Sequence, residues 1–519
     1  MSDRISRGQW LVLAAALLGW MFDGAEQGMF SLVGRSAVKD LLGFADRIPS
    51  SEEEATIGRW FGVVTAIFLV GMATGGVLFG WLGDRIGRVR AMTLSVLTYA
   101  IFTGLCGVAT AAWQVAVLRF ISALGMGGEW SLGVALVMEV WPNRSRALMA
   151  GLIGAAANVG YLLVGLLGWA VIQALSDVDS SAEVQAWLRR IGLSNDSAAT
   201  LVSNGGWRLM MISGAAPALL TFLIRLFVPE SARWKHEQSQ GATSHWATRD
   251  LVGILLGAAG PALIIYLWTR EFSLVARVAG SVAGLLLATG GYTYPVIRYL
   301  QRQGAADGAT TTAWRGTVGR MLLAAGLSGT ALLGTWASAQ WAPTWADKMT
   351  NQLPGAKEQT QLWSAVGAII GTITAALVGG WLGRRVTYCF LCLSSIASLI
   401  WLYQFNPEFG PKFLVASFAV GVCTASFYGW LPLYLPELFR TQVRATGQGF
   451  GFNFGRIVAA VGALQTGNLM GQFSQDVSIL GWTLKGGYPL ACTSMSAIYL
   501  VGLVLICFAP ETKGKPLPE

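Results

Sequence analysis

Four ionisable residues, Asp23, Glu26, Arg119 and Glu129, lie within long apolar stretches of the sequence. Asp23 and Glu26 are three residues apart, so in a helix they share one face. A buried carboxyl group beside a movable arginine can take up and release a proton near neutral pH, because desolvation raises its pKa and the arginine lowers it. We predict proton transfer here, with Glu129 and Asp23 as the leading carriers, Glu26 as the third and Arg119 as their switching partner. The alternative is a permanent ion pair that only holds two helices together.

Both histidines, His236 and His245, lie in one polar segment, so a proton that crosses the apolar region must use carboxyl groups. Further along the chain, Arg456 follows Asn453 in another apolar stretch, and a guanidinium group can bind a carboxylate through two parallel hydrogen bonds. Aromatic side chains could stack on a ring-shaped substrate, although most of the 22 tryptophans must serve packing or interfacial roles. The predicted substrate-binding residues are Arg456, Asn453, Trp20, Trp130, Tyr161, Trp336, Gln340 and Tyr428.

The elements that carry these residues are predicted to be membrane-spanning helices. Of the 519 residues 54% are hydrophobic and only 12% are charged, about half the charged share of a typical soluble domain. About 20 consecutive apolar residues span a bilayer as a helix, and the runs here are solid rather than alternating. The chain is therefore predicted to be an all-α polytopic membrane protein. Fourteen spans are predicted, at 9–34, 59–82, 91–110, 113–140, 147–175, 207–228, 251–268, 272–297, 317–345, 359–383, 386–404, 411–436, 446–471 and 487–509.

The loops give an orientation, because Lys and Arg concentrate in the loops on the side of the N-terminus. Both termini are predicted to be cytoplasmic, in a plasma membrane that we expect to be a prokaryotic inner membrane. The net charge of +9 is then a signal of topology, and its dispersal over short loops argues against nucleic-acid binding. No metal-ligand cluster and no nucleophile–base pair is evident, so we expect neither an enzyme nor a metal site.

Short motifs recur in the two parts of the chain. Gly-Trp-Leu-Gly occurs at 80–83 and again at 380–383, followed by Asp84 in the first copy and by Arg384 in the second. Glu139 and Arg146-Ala147 recur, at nearly the same offset, as Glu437 and Arg444-Ala445. Two repeats of six spans would place a substrate site between the halves at mid-membrane. In the first copy we expect Gly83 and Gly87 to permit a tight reversal, and Asp84 to face a helix N-terminus or a basic residue.

These motifs resemble those of the major facilitator superfamily. Gly80–Arg88 is similar to its loop 2–3 signature, and Pro229–Trp234 and Pro510–Gly514 are similar to signatures of its sugar-porter-like branch. Leu18–Glu26 and the stretch from Arg119 to Glu129 resemble the metabolite:proton symporters for sialate, lactate and aromatic acids in that branch. The resemblance implies two six-helix repeats and supports Asp23 and Glu129 at family positions, whereas Glu26 replaces what is more often aspartate.

The resemblance also implies a cytoplasmic gate, in which the acid of loop 2–3 contacts the opening of the eleventh family helix, here near residues 444–449. The alternative is that the motif only orders the loop and sets topology. The gate residues implied by the motifs are Gly83, Asp84, Arg85, Gly87, Arg88, Glu139, Arg146, Arg384, Arg385, Glu437 and Arg444.

The chain departs from the twelve-span family plan through two extra spans at 251–297. We expect an N-terminal bundle (1–232), a cytoplasmic linker with this inserted hairpin (233–310) and a C-terminal bundle (311–519). The hairpin is expected to pack beside the bundles, with dimerisation or lipid contact as the alternative.

The predicted function is proton-coupled symport, in the import direction, of a small organic anion such as a monocarboxylate, an aromatic carboxylate or a sialic-type acid. The alternative is a sugar or polyol porter, although the span at 317–345 offers only Gln340 in place of an amide cluster. We expect a monomer driven by the proton gradient, with protons, a small-molecule substrate and lipid as its partners and no cofactor. A sensor that does not transport is a further alternative.

Overall fold

The long apolar segments form helices in the computed structural model. It describes residues 6–45, 47, 49–176, 178–215, 222, 227–270, 272–306, 313–351, 355–473, 475–479 and 482–519. In the N-terminal part and the linker the helices are α1 (Arg7–Leu41), α2 (Ser51–Ile86), α3 (Arg88–Cys106), α4 (Ala112–Val140), α5 (Arg146–Ser176), α6 (Val178–Arg190), α7 (Asn195–Val202), α8 (Trp207–Ser213) and α9 (Ala232–Ser239). They are followed by α10 (Leu251–Thr269), α11 (Leu274–Ala306), α12 (Ala313–Ala337), α13 (Ala342–Met349), α14 (Ala356–Leu382), α15 (Arg384–Phe405), α16 (Pro411–Ala425), α17 (Phe427–Tyr434), α18 (Arg444–Asn453), α19 (Gly455–Gln472), α20 (Tyr488–Met495) and α21 (Ile498–Leu505).

Eleven helical segments of the described part of the chain are long and apolar enough to cross a membrane. The predicted span at 207–228 lies largely outside the described residues. The predicted span at 446–471 is divided into α18 and α19 by a break at Phe454. A two-stranded antiparallel hairpin, β1 (Val477–Ile479) and β2 (Trp482–Leu484), follows α19 with Ser478 opposite Thr483.

Small residues set the packing within each half. In the N-terminal half α2 packs along α4, where a side chain at Gly127 would overlap the backbone of α2. In the C-terminal half α14 packs along α16 in the same way, through Gly371 and Gly421. Close backbone approach lets membrane helices associate through van der Waals contact, since lipid tails are as apolar as the side chains. The halves meet where α2 contacts α18 and where α5 contacts α14 and α17.

The two halves repeat with a different register from the one that the four-letter motif suggests. α2 ends at Ile86 and α14 ends at Leu382, and each is followed by a glycine in the left-handed region, Gly87 (φ +110°) and Gly383 (φ +104°). These glycines make the reversals, because other residues are strained at such φ values. Gly87 therefore corresponds to Gly383, and the Gly-Trp-Leu-Gly match is out of register by one helical turn.

This register corrects two expectations. Gly83 lies inside α2, where an added side chain would meet Leu132, so it does not take part in the reversal. The counterpart of Arg384 is Arg88, since each is the first residue of the helix after the turn. In this register the position equivalent to Asp84 is Gly380 and not Arg384. The C-terminal half therefore has a glycine where the N-terminal half has the acid.

The inserted hairpin consists of α10 and α11 and lies against helices of both halves. α10 packs on α2 and α11 packs on α12. Its polar attachment is to the N-terminal half, where the hydroxyl groups of Tyr292 and Thr74 lie 2.8 Å apart. At its cytoplasmic end Trp246 of the linker stacks on Tyr299, with ring centroids 4.3 Å apart.

Candidate functional site

A cytoplasmic latch joins the two halves at Asp84. The Asp84 carboxylate is buried and accepts hydrogen bonds from the backbone N–H groups of Ala445 (3.2 Å) and Thr446 (2.9 Å) and from the Thr446 hydroxyl (2.6 Å). These groups form the first turn of α18, where the helix dipole favours a negative charge. Arg88 lies 3.0 Å from the same carboxylate. Asp84 therefore caps a helix of the other half, at the opening that the family motif implies.

Glu139 forms the second cross-half contact. Its carboxylate accepts hydrogen bonds from Arg88 (3.2 Å) in its own half, from Arg444 (2.9 Å) in the other half and from the Ser231 hydroxyl (2.5 Å). Arg88 also donates to the carbonyl of Thr441 across the interface, at 2.7 Å. The latch is thus a buried network of two acids and two arginines, in which the charges are paired and hydrogen-bonded.

The C-terminal half repeats the local part of this network. Arg384 donates to both oxygens of Glu437, at 3.0 and 2.7 Å, and the Thr512 hydroxyl donates to the same carboxylate at 2.5 Å. Arg385 donates to the carbonyl of Ile506 at the end of the last helix, at 3.3 Å. These hydrogen bonds all lie within the C-terminal half, so among the described hydrogen bonds Arg384, Arg385 and Glu437 hold that half together.

Two further gate candidates lie at the edge of the latch. Arg85 donates to the Thr248 hydroxyl in the linker, at 2.9 Å, and contacts no residue of the other half among the described hydrogen bonds. Arg146 is buried near Glu437 and Arg233, whose charges act on it, but it forms no ion pair within 4.0 Å in the described residues. Arg146 and Arg444 are thus related by the repeat, and only Arg444 closes a contact with the opposite acid.

Two glutamates outside the predicted site hold the turns after α2 and α14. Glu230 accepts from the first two backbone N–H groups of α3, both at 3.0 Å, and Glu511 accepts from the first two of α15, both at 3.1 Å. Burial raises the pKa of Glu511, but four backbone N–H donors outweigh it and hold the pKa below its ordinary value. The Pro-Glu-Ser and Pro-Glu-Thr motifs therefore fix the N-terminal ends of these helices.

A buried ion pair occupies the middle of the N-terminal half. Arg119 donates to Glu26, and the Thr103 hydroxyl donates to the same Glu26 oxygen at 3.0 Å. The guanidinium lies over two aromatic rings, with its central carbon 4.5 Å from the Phe30 centroid and 4.0 Å from the Phe68 centroid. Ring faces stabilise a desolvated cation. The hydrogen-bonded partner of Arg119 is thus Glu26, the acid placed third by the sequence, and not one of the two leading carriers.

Arg456 connects the two halves at mid-depth. It donates to the Asn453 side-chain oxygen at 3.0 Å and lies 3.0 Å from the Met72 sulfur of α2. Asn453 in turn donates to the carbonyl of Gly127 in α4, at 3.1 Å. These described hydrogen-bond partners of the guanidinium are uncharged, although the group is buried.

The charge of Arg456 acts on three groups around it. They are Asp23 of α1, Tyr161 of α5 and Tyr428 of α17. Arg456 and Asp23 come from different halves, so the charges of a cation and an acid interact across the interface. Glu129 is buried in α4 at a similar depth. The structure thus places Asp23 near Arg456, and Glu26 on Arg119.

Aromatic rings close the cytoplasmic side of this cluster. Trp130 of α4 and Phe452 of α18 stack with their ring centroids 3.7 Å apart and their planes at 10°. Trp20 lies 6.3 Å from Trp130 and 6.4 Å from Phe452, and Tyr428 lies 6.5 Å from Phe452. Trp20, Trp130 and Tyr428 were predicted, whereas Phe452 was not, because one phenylalanine among 23 carries no distinguishing signal in the sequence.

Two predicted substrate residues lie away from these rings. Gln340 is exposed beyond the end of α12, so it does not supply an amide to the central cluster. Trp336 is half-buried near the end of α12.

Comparison with known proteins places this arrangement in a family. A family profile described as "Sugar (and other) transporter" matches residues 34–250. A putative metabolite transport protein of Haemophilus influenzae is 25% identical, with 100% of each chain covered. The cis,cis-muconate transport protein of Acinetobacter baylyi is 24% identical over 85% of this chain and 84% of its own.

The Escherichia coli proton:xylose symporter has the same fold, with a TM-score of 0.65 and 16% identity over 98% of this chain and 97% of its own. Two helical repeats that meet through a polar latch and enclose a mid-depth site, together with these relatives, agree with the resemblance inferred from the motifs. The sequence is therefore similar to those of bacterial metabolite transporters, and the fold is that of a major facilitator superfamily symporter.

Proposed function

We propose that the protein is a proton-coupled symporter that imports a small organic anion by alternating access. The observation that carries this proposal is the buried Arg456 guanidinium, which lies between the halves beside the Phe452 ring and whose charge interacts with Asp23, Tyr161 and Tyr428. A cation in such a site suits a carboxylate substrate. The similarity to a cis,cis-muconate transport protein, which is named for a small carboxylate, supports the same class.

Coupling follows from the charges around Arg456. A substrate anion beside Arg456 would add a second negative charge near Asp23, and like charges about 4 Å apart repel by about 4 kcal/mol at an effective dielectric constant of 20. We expect Asp23 to take a proton as the anion arrives, so that both cross the membrane together. Glu26 would hold or release a proton as Arg119 pairs with it or leaves it, and Glu129 is a further carrier in the same half.

Alternation follows from the latch. The contacts of Asp84 and Glu139 with α18 are in place, and in this proposal they close the cytoplasmic side. Access from that side requires the latch to break and the two halves to rotate about the mid-depth site.

The topology belongs to the same proposal. We infer fourteen spans with both termini cytoplasmic, arranged as two six-helix bundles (1–232 and 311–519) and the linker with its hairpin (233–310). We expect a monomer in a prokaryotic inner membrane, driven by the proton gradient without a cofactor.

The test uses purified protein in liposomes that contain a pH-sensitive dye, without a membrane potential. Small carboxylates (aromatic, hydroxy- and sialic-type acids) form one set and neutral sugars the other, and empty liposomes correct for leak of the acids. Acidification of the lumen by an acid, lost in Arg456→Gln and in Asp23→Asn and retained in the exposed control Arg190→Gln, would support the proposal. Acidification in Arg456→Gln at the parent rate would contradict the role of Arg456.

A sugar or polyol porter is the second candidate, favoured by the profile match and by the fold shared with the xylose symporter. Hydroxyl-rich substrates need several amide and acid partners, and the exposed Gln340 does not supply one. Acidification by sugars alone in the same assay would select this candidate.

A further inference from the structure

The Trp130–Phe452 stack joins opposite halves of the protein. Trp130 belongs to α4 of the N-terminal half and Phe452 to α18 of the C-terminal half, and both side chains are about 2% exposed or less. Their centroids are 3.7 Å apart, which is van der Waals contact between nearly parallel rings. Any separation of the halves on the cytoplasmic side must therefore separate these two rings.

The depth of the stack can be measured from the latch. Glu139 and Arg444 are in contact, so they mark one level on the two helices. Phe452 lies eight residues beyond Arg444, about 12 Å along a helix, and Trp130 lies nine residues before Glu139, about 13 Å. Arg456 is four residues further on, about 6 Å closer to the external side. The stack therefore lies between the latch and the mid-depth cation.

Hydrogen bonds on either side of the stack keep the same two helices together. Toward the cytoplasm the Gln448 amide donates to the carbonyl of Ser131, and toward the external side Asn453 donates to the carbonyl of Gly127. Trp20 approaches both stacked rings from α1. The rings thus form a continuous apolar layer between the latch and Arg456.

One short helix carries both the latch contact and the stack. Asp84 caps the first turn of α18 and Phe452 lies in its last turn, while Phe454, between α18 and α19, keeps a helical backbone (φ −58°, ψ −36°). A movement of α18 that follows release of Asp84 therefore displaces Phe452 as well.

We propose that Trp130 and Phe452 form the closed floor of the substrate site, a second and aromatic gate that opens together with the Asp84 latch. The floor keeps the Arg456 site separate from the cytoplasmic side until the halves part, and Phe452 is the residue that transmits the latch state to the site. This inference rests on the proposed function only for the identity of the molecule that passes.

The test measures whether the floor blocks access and needs no substrate. In a full-length chain without native cysteines, Gln448→Cys places a thiol one turn to the cytoplasmic side of Phe452. A membrane-impermeant methanethiosulfonate reagent is added to the external side of right-side-out vesicles. With the floor intact we expect slow labelling of the thiol. In Phe452→Ala and in Trp130→Ala we expect labelling to be about tenfold faster, which corresponds to a barrier to reagent access that is lower by about 1.4 kcal/mol.

Two matched variants separate a gate from a packing effect. Phe450→Ala removes an equally buried ring of the same helix, which packs on Phe454 with centroids 4.8 Å apart, and should leave labelling unchanged. Phe452→Trp keeps a ring and should keep labelling slow. Unchanged labelling in Phe452→Ala, or equal acceleration in Phe450→Ala, overturns the floor. If the parent protein showed no acid-driven proton flux but the labelling pattern were as expected, the proposed function would be wrong and the floor would still be supported.

Discussion

The side chain of Asp84 fastens one half of the protein to a helix N-terminus of the other. Both carboxylate oxygens accept hydrogen bonds from the first turn of α18. An asparagine at this position has one acceptor oxygen, and its NH₂ group would face a backbone N–H donor. We therefore expect Asp84→Asn to fold and to lose about 2 kcal/mol of latch free energy, the range for hydrogen bonds to a charged group.

For transport, this change should lower the rate of uptake in liposomes at least tenfold, because the closed state is no longer held. Asp196→Asn, which changes an exposed acid at the start of α7, is the matched control and should transport normally. Uptake by Asp84→Asn at the parent rate would show that the motif only orders the loop.

The Glu26–Arg119 pair allows its structural and functional roles to be separated. Glu26→Gln leaves the buried Arg119 charge without its carboxylate. Breaking a buried ion pair in this way typically lowers the free energy of unfolding by about 3–5 kcal/mol. We expect no larger loss here, because two aromatic rings still face the guanidinium. The melting temperature should fall, and Glu26→Gln with Arg119→Gln should recover most of it, since no charge is left unpaired.

Proton flux should remain lost in the double variant if the pair carries the proton. Flux at the parent rate in the stable double variant would mean that the pair only holds α1 and α4 together. Thermal unfolding in detergent and the pH-dye assay measure the two properties on the same samples.

At the scale of the helices, a carboxylate side chain fixes the N-terminal end of α15. Glu511 binds the first two backbone N–H groups of α15, and its pKa lies below the ordinary value. Because the pKa is lower in the folded state, this carboxylate stabilises the fold above the pKa of the unfolded chain, about 4.3, and the contribution is lost as pH falls through the folded value.

Glu511→Gln should therefore lower the free energy of unfolding at pH 7 by about 1 kcal/mol, a typical cost of a lost helix cap. The difference from the parent should begin to shrink below about pH 4.3, where the unfolded chain takes up a proton, and should vanish only below the lowered pKa of the folded state. Glu408→Gln, at an exposed position, is the control. A difference that does not shrink below about pH 4.3 would rule out an ionised cap.

The same helix ends show what the sequence could and could not predict. The all-α membrane fold, its family and the acid at the opening of α18 follow from apolar runs and motifs. The register of the repeat does not, because the identical letters at 80–83 and 380–383 conceal a shift of one turn that appears only in the φ values of Gly87 and Gly383. Four shared letters are weaker evidence of equivalence than two glycines that make the same turn.

The sequence ranked Glu26 third among the acids that could pair with Arg119, although Glu26 is the acid that Arg119 contacts. Asp23 and Glu26 lie about one turn apart on α1, and which of them meets Arg119 depends on how α1 is rotated against α4. That rotation is set by close packing of α1 along α5, where a side chain at Gly24 or Gly160 would overlap the opposite backbone. No local pattern in the sequence reports such a tertiary constraint.

For the whole molecule, the proposed function requires two rigid halves that separate at the side of the Asp84 latch. The hairpin fits this scheme as part of the N-terminal half, because its hydrogen bond from Tyr292 goes to Thr74 of α2 and the linker residue Thr248 accepts from Arg85. Its approach to α12 would then be a surface along which the C-terminal half slides.

Disulfide staples test the rigid-half scheme directly. A side chain at Gly380 of α14 would place its Cβ 3.0 Å from the Ala147 Cβ of α5, across the interface and close to the latch. A side chain at Gly104 of α3 would place its Cβ 3.1 Å from that of Ala215, within the N-terminal half. Both pairs lie slightly below the Cβ separation of a disulfide, about 3.5–4.5 Å, so small shifts would allow either bond to form.

The two staples have nearly the same Cβ separation, but only the first crosses the interface between the halves. In a background without native cysteines, oxidation of Gly380→Cys/Ala147→Cys should abolish transport because the halves cannot part, and a reductant should restore it. Oxidation of Gly104→Cys/Ala215→Cys should leave transport within about twofold, since helices of one half move together. If the oxidised cross-interface staple transported as fast as its reduced form, substrate would have to pass without separation of α5 from α14, and alternating access between rigid halves would be wrong for this protein.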